Sequence, residues 1–158
     1  MESLLNDPLC REKGLTIEDI LHPEACELPE HKWYVMRATY CRAQKAAELI
    51  SQGGTLTFLP MECRSTIVEG VRHWKKVPCM STIFFVYGTY SRVRQFTHRN
   101  HDTADGIPYV DFAFDHTSKE QNGRDRIMTV PFREMQNFIR IVEAAVPESY
   151  SVSPQEIH

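Results

Sequence analysis

The 158-residue sequence has no apolar run near the roughly 18 residues that cross a membrane. It also lacks the marks of several enzyme classes. Gly53-Gly54 is followed by residues of strand character, the wrong setting for a phosphate-binding loop or a dinucleotide fingerprint. Ser65 and Ser81 stand in no nucleophile-elbow pattern. The five cysteines, at 10, 26, 41, 63 and 79, are odd in number and never spaced C-x-x-C. That spacing argues against a disulfide framework or a zinc site and for reduced thiols. Residues 1–10 hold neither a basic n-region nor an apolar h-region, so no secretory signal is read and a cytoplasmic protein is expected. There is no internal repeat and no low-complexity tract.

What is present is enough for one packed domain. Hydrophobic residues make up 42% and charged residues 25%. The net charge of −3 hides an asymmetry. Residues 1–30 carry two Lys/Arg against eight acids, a net of −6. Residues 31–99 carry eleven against three, a net of +8, and residues 100–158 carry five against ten, a net of −5. A basic middle between acidic ends suits a body that lies near phosphate, unless charges distant in sequence mix in space and cancel.

The order of elements is read from periodicity. Residues 1–30 look like an acidic extension with a short helix at 16–22, where Thr16 and Asp19 resemble a capping box. The core begins with a strand at 32–39. A helix follows over 41–52, with Ala43, Ala46, Ala47 and Ile50 on one face and Gly53-Gly54 as its stop. Residues 55–61 return to strand. Glu69-Gly70 then signals a hairpin within 65–77, and residues 81–87 form the most apolar strand, ended by Gly88. Residues 90–100 are predicted helical, with Val93, Phe96 and Thr97 on one face. Residues 109–115 form a strand, Asn122-Gly123 a turn, and 126–130 a returning strand. Pro131 suits the first turn of a last helix whose apolar stripe is Met135, Phe138, Ile139 and Val142. Residues 146–158, with two prolines and three serines, read as a tail. The fold class is therefore α+β around a mostly antiparallel sheet, with an added hairpin.

No nucleophile, base and orienter come together in this pattern, so no enzyme and no cofactor are expected. His98 and His101, with Asp102 and Asp105, have the residue types of a metal cluster, but a solvated helix end and loop is the preferred reading, since no anchored fourth ligand or second shell is evident. Asp111 and Asp115 fall on the polar side of an alternating strand.

Several stretches in order resemble the N-terminal domain of the NusG family of transcription elongation factors. They are Lys32-Trp33-Tyr34-Val35 with the basic, alanine-rich helix after it, Phe58-Leu59-Pro60-Met61, the basic hairpin, Pro78 to Val86, and the helix from Pro131 to Ala145. The resemblance covers about residues 31–146. It is closest to the specialised antiterminators of the RfaH and UpxY kind. The strand Ile83-Phe84-Phe85-Val86-Tyr87-Gly88 and the Val130-Pro131 helix start look most like the UpxY type, found on capsular polysaccharide operons of Bacteroides-like bacteria. The family implies a four-stranded antiparallel sheet, a ferredoxin-like variant, with flanking helices. It also implies a monomer that docks an apolar sheet face on the clamp helices of the largest RNA polymerase subunit.

Carried over by position, the docking face is Val35, Met80, Ile83 and Phe85, with Arg37 at its edge. Strand alternation then turns Phe84 and Val86 toward the domain's own helices and Ile83 and Phe85 toward the partner. The family's second contact is the non-template DNA strand. Arg42, Lys45, Arg72, Lys75 and Lys76 are candidates for neutralising its backbone, and Trp74 for stacking on a base. Thr39, Leu49 and Gln52 are not basic, so sequence-specific DNA reading does not carry over. Arg94, Gln95 and Phe96 align weakly with a segment that contacts a polymerase loop. The family continues into a small KOW barrel, and this sequence ends about where the barrel would begin. The acidic residues 1–30 are expected to fold back on the basic face. The same basic and aromatic residues also fit an α+β domain that binds single-stranded nucleic acid without polymerase.

Overall fold

A computed structural model describes residues 14–145. The tail predicted at 146–158 lies outside them. The first helix, α1 (Ile17–Leu21), starts at the expected capping box: Asp19 N–H donates to Thr16 Oγ1, and Thr16 N–H donates to the Asp19 carboxylate. Strand β1 (His31–Ala38) leads into helix α2 (Ala43–Gln52), which buries Ala43, Ala46, Ala47 and Ile50 as predicted. Strand β2 (Leu56–Phe58) precedes a hairpin of β3 (Met61–Val68) and β4 (Val71–Pro78). Glu69 and Gly70 form its turn with φ of +52° and +80°, the left-handed pair a two-residue hairpin needs.

Strand β5 (Ile83–Thr89) follows, then a short helix α3 (Tyr90–Arg94). The strand does not end at Gly88, which pairs with Lys32 inside the ladder. Its lack of a side chain instead lets α3 turn back closely, since a Cβ there would meet Val93 at 3.3 Å. Helix α3 is shorter than predicted. The amides of Gln95, Phe96 and Thr97 bond three residues back, which tightens the chain into turns. Val93, Phe96 and Thr97 are nonetheless buried together.

The strand expected at 109–115 is split into β6 (Val110–Phe112) and β7 (Phe114–Lys119). The one expected at 126–130 is split into β8 (Asp125–Ile127) and β9 (Thr129–Val130). The breaks fall at Ala113 and Met128. Ala113 N–H donates to the Val35 carbonyl, and Val35 N–H donates to the Met128 carbonyl. This pairing with Val35 of β1 frees β7 and β8 to leave the sheet as a second hairpin. The last helix is α4 (Phe132–Ala144).

The main sheet runs β2-β5-β1-β6, and β9 pairs with β1 beside β6. Since β6 and β9 share one side of β1, five antiparallel strands occupy four positions. Both sheet faces are covered. Tyr34, Met36, Phe84 and Val86 meet α2 and α3 on one side. Trp33, Val35, Phe85 and Tyr87 meet α1 and α4 on the other.

Residues 14–30 are not a separate extension. Ile20, Ala25 and Leu28 are buried in the second core, and Leu28 N–H donates to Tyr87 Oη at 2.8 Å. Gln136 of α4, itself buried, donates to the Ile20 carbonyl at 2.8 Å, and Arg140 donates to the Leu21 carbonyl at 3.0 Å. The described part of the acidic segment thus lies under α4 and not over the basic hairpin. The apolar spacing of Ile17, Ile20 and Leu21 explains the choice: these side chains gain more against an apolar sheet face than its acids gain near a solvated cation.

Candidate functional site

The predicted docking face divides in two. Val35 and Phe85 are interior, 6% and 8% exposed. Phe138 of α4 sits over them, its ring 5.7 Å from Phe85 and 6.1 Å from Phe58. The expectation that Phe85 faces a partner is therefore corrected. The amphipathic helix legible at 131–145 is the element that covers this face.

Toward Ile83 the same face gives way to a more open rim. Ile83 is half-buried and stands opposite the exposed Arg37 in the β1–β5 ladder. Met80, in the loop before β5, is 43% exposed.

That loop is tied into the start of α2. Ser81 carbonyl accepts from Ala43 N–H at 3.0 Å, and Thr82 carbonyl accepts from Ala38 N–H at 2.8 Å. The loop is also tied to the root of the hairpin, where Cys79 N–H donates to the Pro60 carbonyl at 2.9 Å. Rim, helix start and hairpin root are thus neighbours at one end of the sheet.

The α2 start is electropositive for two reasons that add. Its N-terminal end carries the positive end of the helix dipole, and Arg42 and Lys45 sit there with no acid in the first turn. A cation there gains nothing from the helix. Arg42 is held instead by rings, its guanidinium 5.7 Å from the Tyr40 centroid and 5.1 Å from that of Tyr109. Tyr40 and Cys41 both adopt left-handed backbone, with φ of +59° and +57°, an arrangement that costs energy for residues with a Cβ. It presents the Tyr40 ring to solvent at 82% exposure. Sequence reasoning passed over Tyr40. A large aromatic in the polar turn between a strand and a basic helix was the available signal.

The hairpin sorts its basic residues by register. Opposite pairs are Cys63 with Lys76, Ser65 with Trp74 and Ile67 with Arg72, so Arg72, Trp74 and Lys76 share one face. Arg72 reaches along it to Ser65 Oγ at 3.1 Å, beside the half-buried Trp74. Lys75 lies on the other face, opposite Arg64 and next in line to His73. The six predicted nucleic-acid contacts therefore form an Arg72–Trp74–Lys76 row, an Arg42–Lys45 pair at the helix start, and Lys75 facing away. Phe96 is buried, which leaves it no contact role, while Arg94 is exposed. Leu49 and Gln52 lie exposed on α2 and Thr39 beside Tyr40.

Of His98, His101, Asp102 and Asp105, only His98 joins an ion-pair knot, and Asp105 pairs instead with Arg92 at 3.6 Å. Arg99 donates twice to Asp111, at 2.9 and 3.1 Å, and His98 Nε2 lies 3.2 Å from the same carboxylate. Partial burial works to raise the Asp111 pKa. The hydrogen bonds from Arg99, the Phe112 amide and His98, with the Arg99 charge, outweigh it and hold the carboxyl below its usual range. Asp115 caps its own turn through the Thr117 amide and hydroxyl. Among the described residues no group of three or more His, Cys, Asp or Glu is arranged to hold a metal. No disulfide joins the described cysteines, and no described helix is long and apolar enough to cross a membrane.

No model of a protein family matches the chain, and no curated protein matches it.

Proposed function

We propose that the chain is a non-enzymatic transcription elongation or antitermination factor of NusG type, docking on the RNA polymerase clamp helices and acting on a polysaccharide-type operon. The observation that carries this reading is the meeting of two surfaces at one end of the sheet. The apolar rim of Met80 and Ile83, edged by Arg37, adjoins the electropositive start of α2 and the root of a cationic, aromatic hairpin. An apolar anchor edged by charge suits a protein partner. Cations in line with a stacking ring suit a displaced single strand. Five antiparallel strands in four positions with helices on both faces are compatible with the family's sheet. In this reading the docking contact is narrower than the resemblance implies, because Val35 and Phe85 support the rim from inside.

The test is capture of the full chain by a polymerase clamp-helix fragment. The parent chain should be retained. Met80→Asp with Ile83→Asp should abolish retention while circular dichroism still reports a folded domain. A parent chain that is not retained, or a double variant retained equally well, overturns the proposal. The hairpin row favours one second reading, a single-strand-binding domain that works without polymerase. Under that reading the parent binds single-stranded DNA, binds it more weakly on Trp74→Ala, and is never retained by the clamp fragment.

A further inference from the structure

A second surface lies at the opposite edge of the sheet from the hairpin root. There β1, β6 and β9 meet the β7–β8 hairpin across an open groove of about 1390 Å³. Its floor is aromatic. The Tyr90 and Phe112 rings lie nearly parallel, 5.6 Å apart and 12° between planes, and Tyr34 meets Phe112 edge-on at the same separation. Phe112 and Tyr34 are buried, whereas Tyr90, the outer ring of the stack, is 48% exposed. A ring stack that ends half-open offers a flat apolar face to one more planar ring.

The walls are cationic. Four Lys and Arg line the groove against two acids. Of those acids, Asp125 is already held by Lys119 and His116, which leaves Glu120 at the rim. Arg99 is held by Asp111 and is fixed beside the floor. Lys32 and Arg124 are exposed and form no ion pair with a described residue. Arg126 donates to the Lys119 carbonyl and forms no ion pair with a described residue, and so keeps its charge for a ligand. The groove is open and larger than the roughly 300–1,000 Å³ of a small-molecule pocket, which suits a ligand larger than one small molecule.

We infer that this groove binds a short stretch of single-stranded nucleic acid, one base stacking on Tyr90 and the adjoining phosphates lying against Lys32 and Arg124. A planar base fits the open ring face, and a polyanionic backbone fits cations that lack protein partners. An acidic peptide would use the cations but not the stack. The inference does not rest on polymerase binding, and the site lies apart from the Arg72–Trp74–Lys76 row.

The experiment uses the full chain carrying Trp74→Ala and Lys76→Ala, so that the hairpin row is silent. Binding of a labelled single-stranded 12-mer is followed by fluorescence anisotropy. The chain should still bind. Tyr90→Ala should weaken binding about tenfold, and Tyr90→Phe should restore it. Lys32→Glu, at an exposed site that leaves the fold intact, should weaken binding and flatten its salt dependence by about 0.7 in log–log slope. Two further arms, thymidine monophosphate alone and a poly-glutamate peptide, should bind far more weakly. Equal affinity for the mononucleotide would assign the groove to a free nucleotide, and equal affinity for the peptide to acidic protein; either overturns the inference. So does a 12-mer that fails to bind, or that binds the Tyr90→Ala and Lys32→Glu chains as tightly as their parent. Clamp-fragment capture is read separately, so each proposal fails or stands by itself.

Discussion

Phe85→Ala separates a core role from a docking role. Phe85 is 8% exposed, packed between Phe58 and Phe138 with ring centroids 6.5 and 5.7 Å away. Its neighbours belong to β2 and α4, two elements anchored elsewhere, so the space left by the ring cannot readily collapse. Truncating a buried phenylalanine costs about 3–5 kcal/mol, the transfer free energy of the lost atoms plus the cavity. A domain of this size typically holds about 5–15 kcal/mol in total. The variant should therefore melt about 6 °C or more below the parent, each kcal/mol being worth about 2–8 °C. Met80→Ala provides the contrast. Met80 is 43% exposed, so its removal should change stability by no more than about 0.5 kcal/mol. Thermal melts followed by circular dichroism read both. A Phe85→Ala chain that melts within 2 °C or so of the parent, on the same scale, would falsify the argument that α4 covers this face, and Phe85 would return to the list of docking residues.

Three other outcomes follow from particular contacts. Tyr87→Phe leaves the buried Leu28 amide without its acceptor and should cost about 1–3 kcal/mol in urea melts. The Tyr87 phenol is pushed up to about 12 by burial, against about 10 for an unfolded tyrosine. Its stabilising contribution is complete below pH 10 and lost as the pH climbs from 10 through 12, so the alkaline limb of the parent's stability curve should be steeper than that of Tyr87→Phe. Asp111 has the opposite sign. Its folded pKa lies below 3.8, so its contribution is present above that pH and lost as the pH falls further; the acid limb should be shallower in Asp111→Asn, as measured by unfolding at graded pH. Gly106→Ala would place a Cβ 2.7 Å from the Asn100 carbonyl oxygen and 3.1 Å from that of Thr97, and should lower the urea midpoint by the equivalent of about 1–3 kcal/mol with the slope unchanged.

Periodicity reads well wherever one neighbour decides burial. Ala43, Ala46, Ala47 and Ile50 fall on one helical face, and that face is buried. Glu69-Gly70 names a hairpin turn, and the turn is there. The strand breaks at Ala113 and Met128 leave no such trace, because they are made by pairing with Val35 from a distant part of the chain. The site was half legible for the same reason. Alternation places Ile83 and Phe85 on one side of β5, but no local pattern says how far along that side α4 extends. Phe138 of α4 packs on Phe85 while Met80 stays exposed, and that packing decides which residues remain accessible. The acidic composition of residues 1–30 suggests a solvated segment, whereas the three apolar side chains Ile20, Ala25 and Leu28 determine where residues 14–30 go.

The β3–β4 arm is largely exposed on both of its faces beyond its root, so burial does little to fix its register. What fixes it is the dipeptide Glu69-Gly70, whose paired left-handed conformation admits only one way of closing the two strands. A slip of one residue would move the Arg72–Trp74–Lys76 row to the reverse side of the ribbon. The address of the cationic surface is thus written at the tip of the arm, away from the residues that form it. Exchange at the tip, without any change to a cation, could switch which side of the arm meets a negatively charged strand.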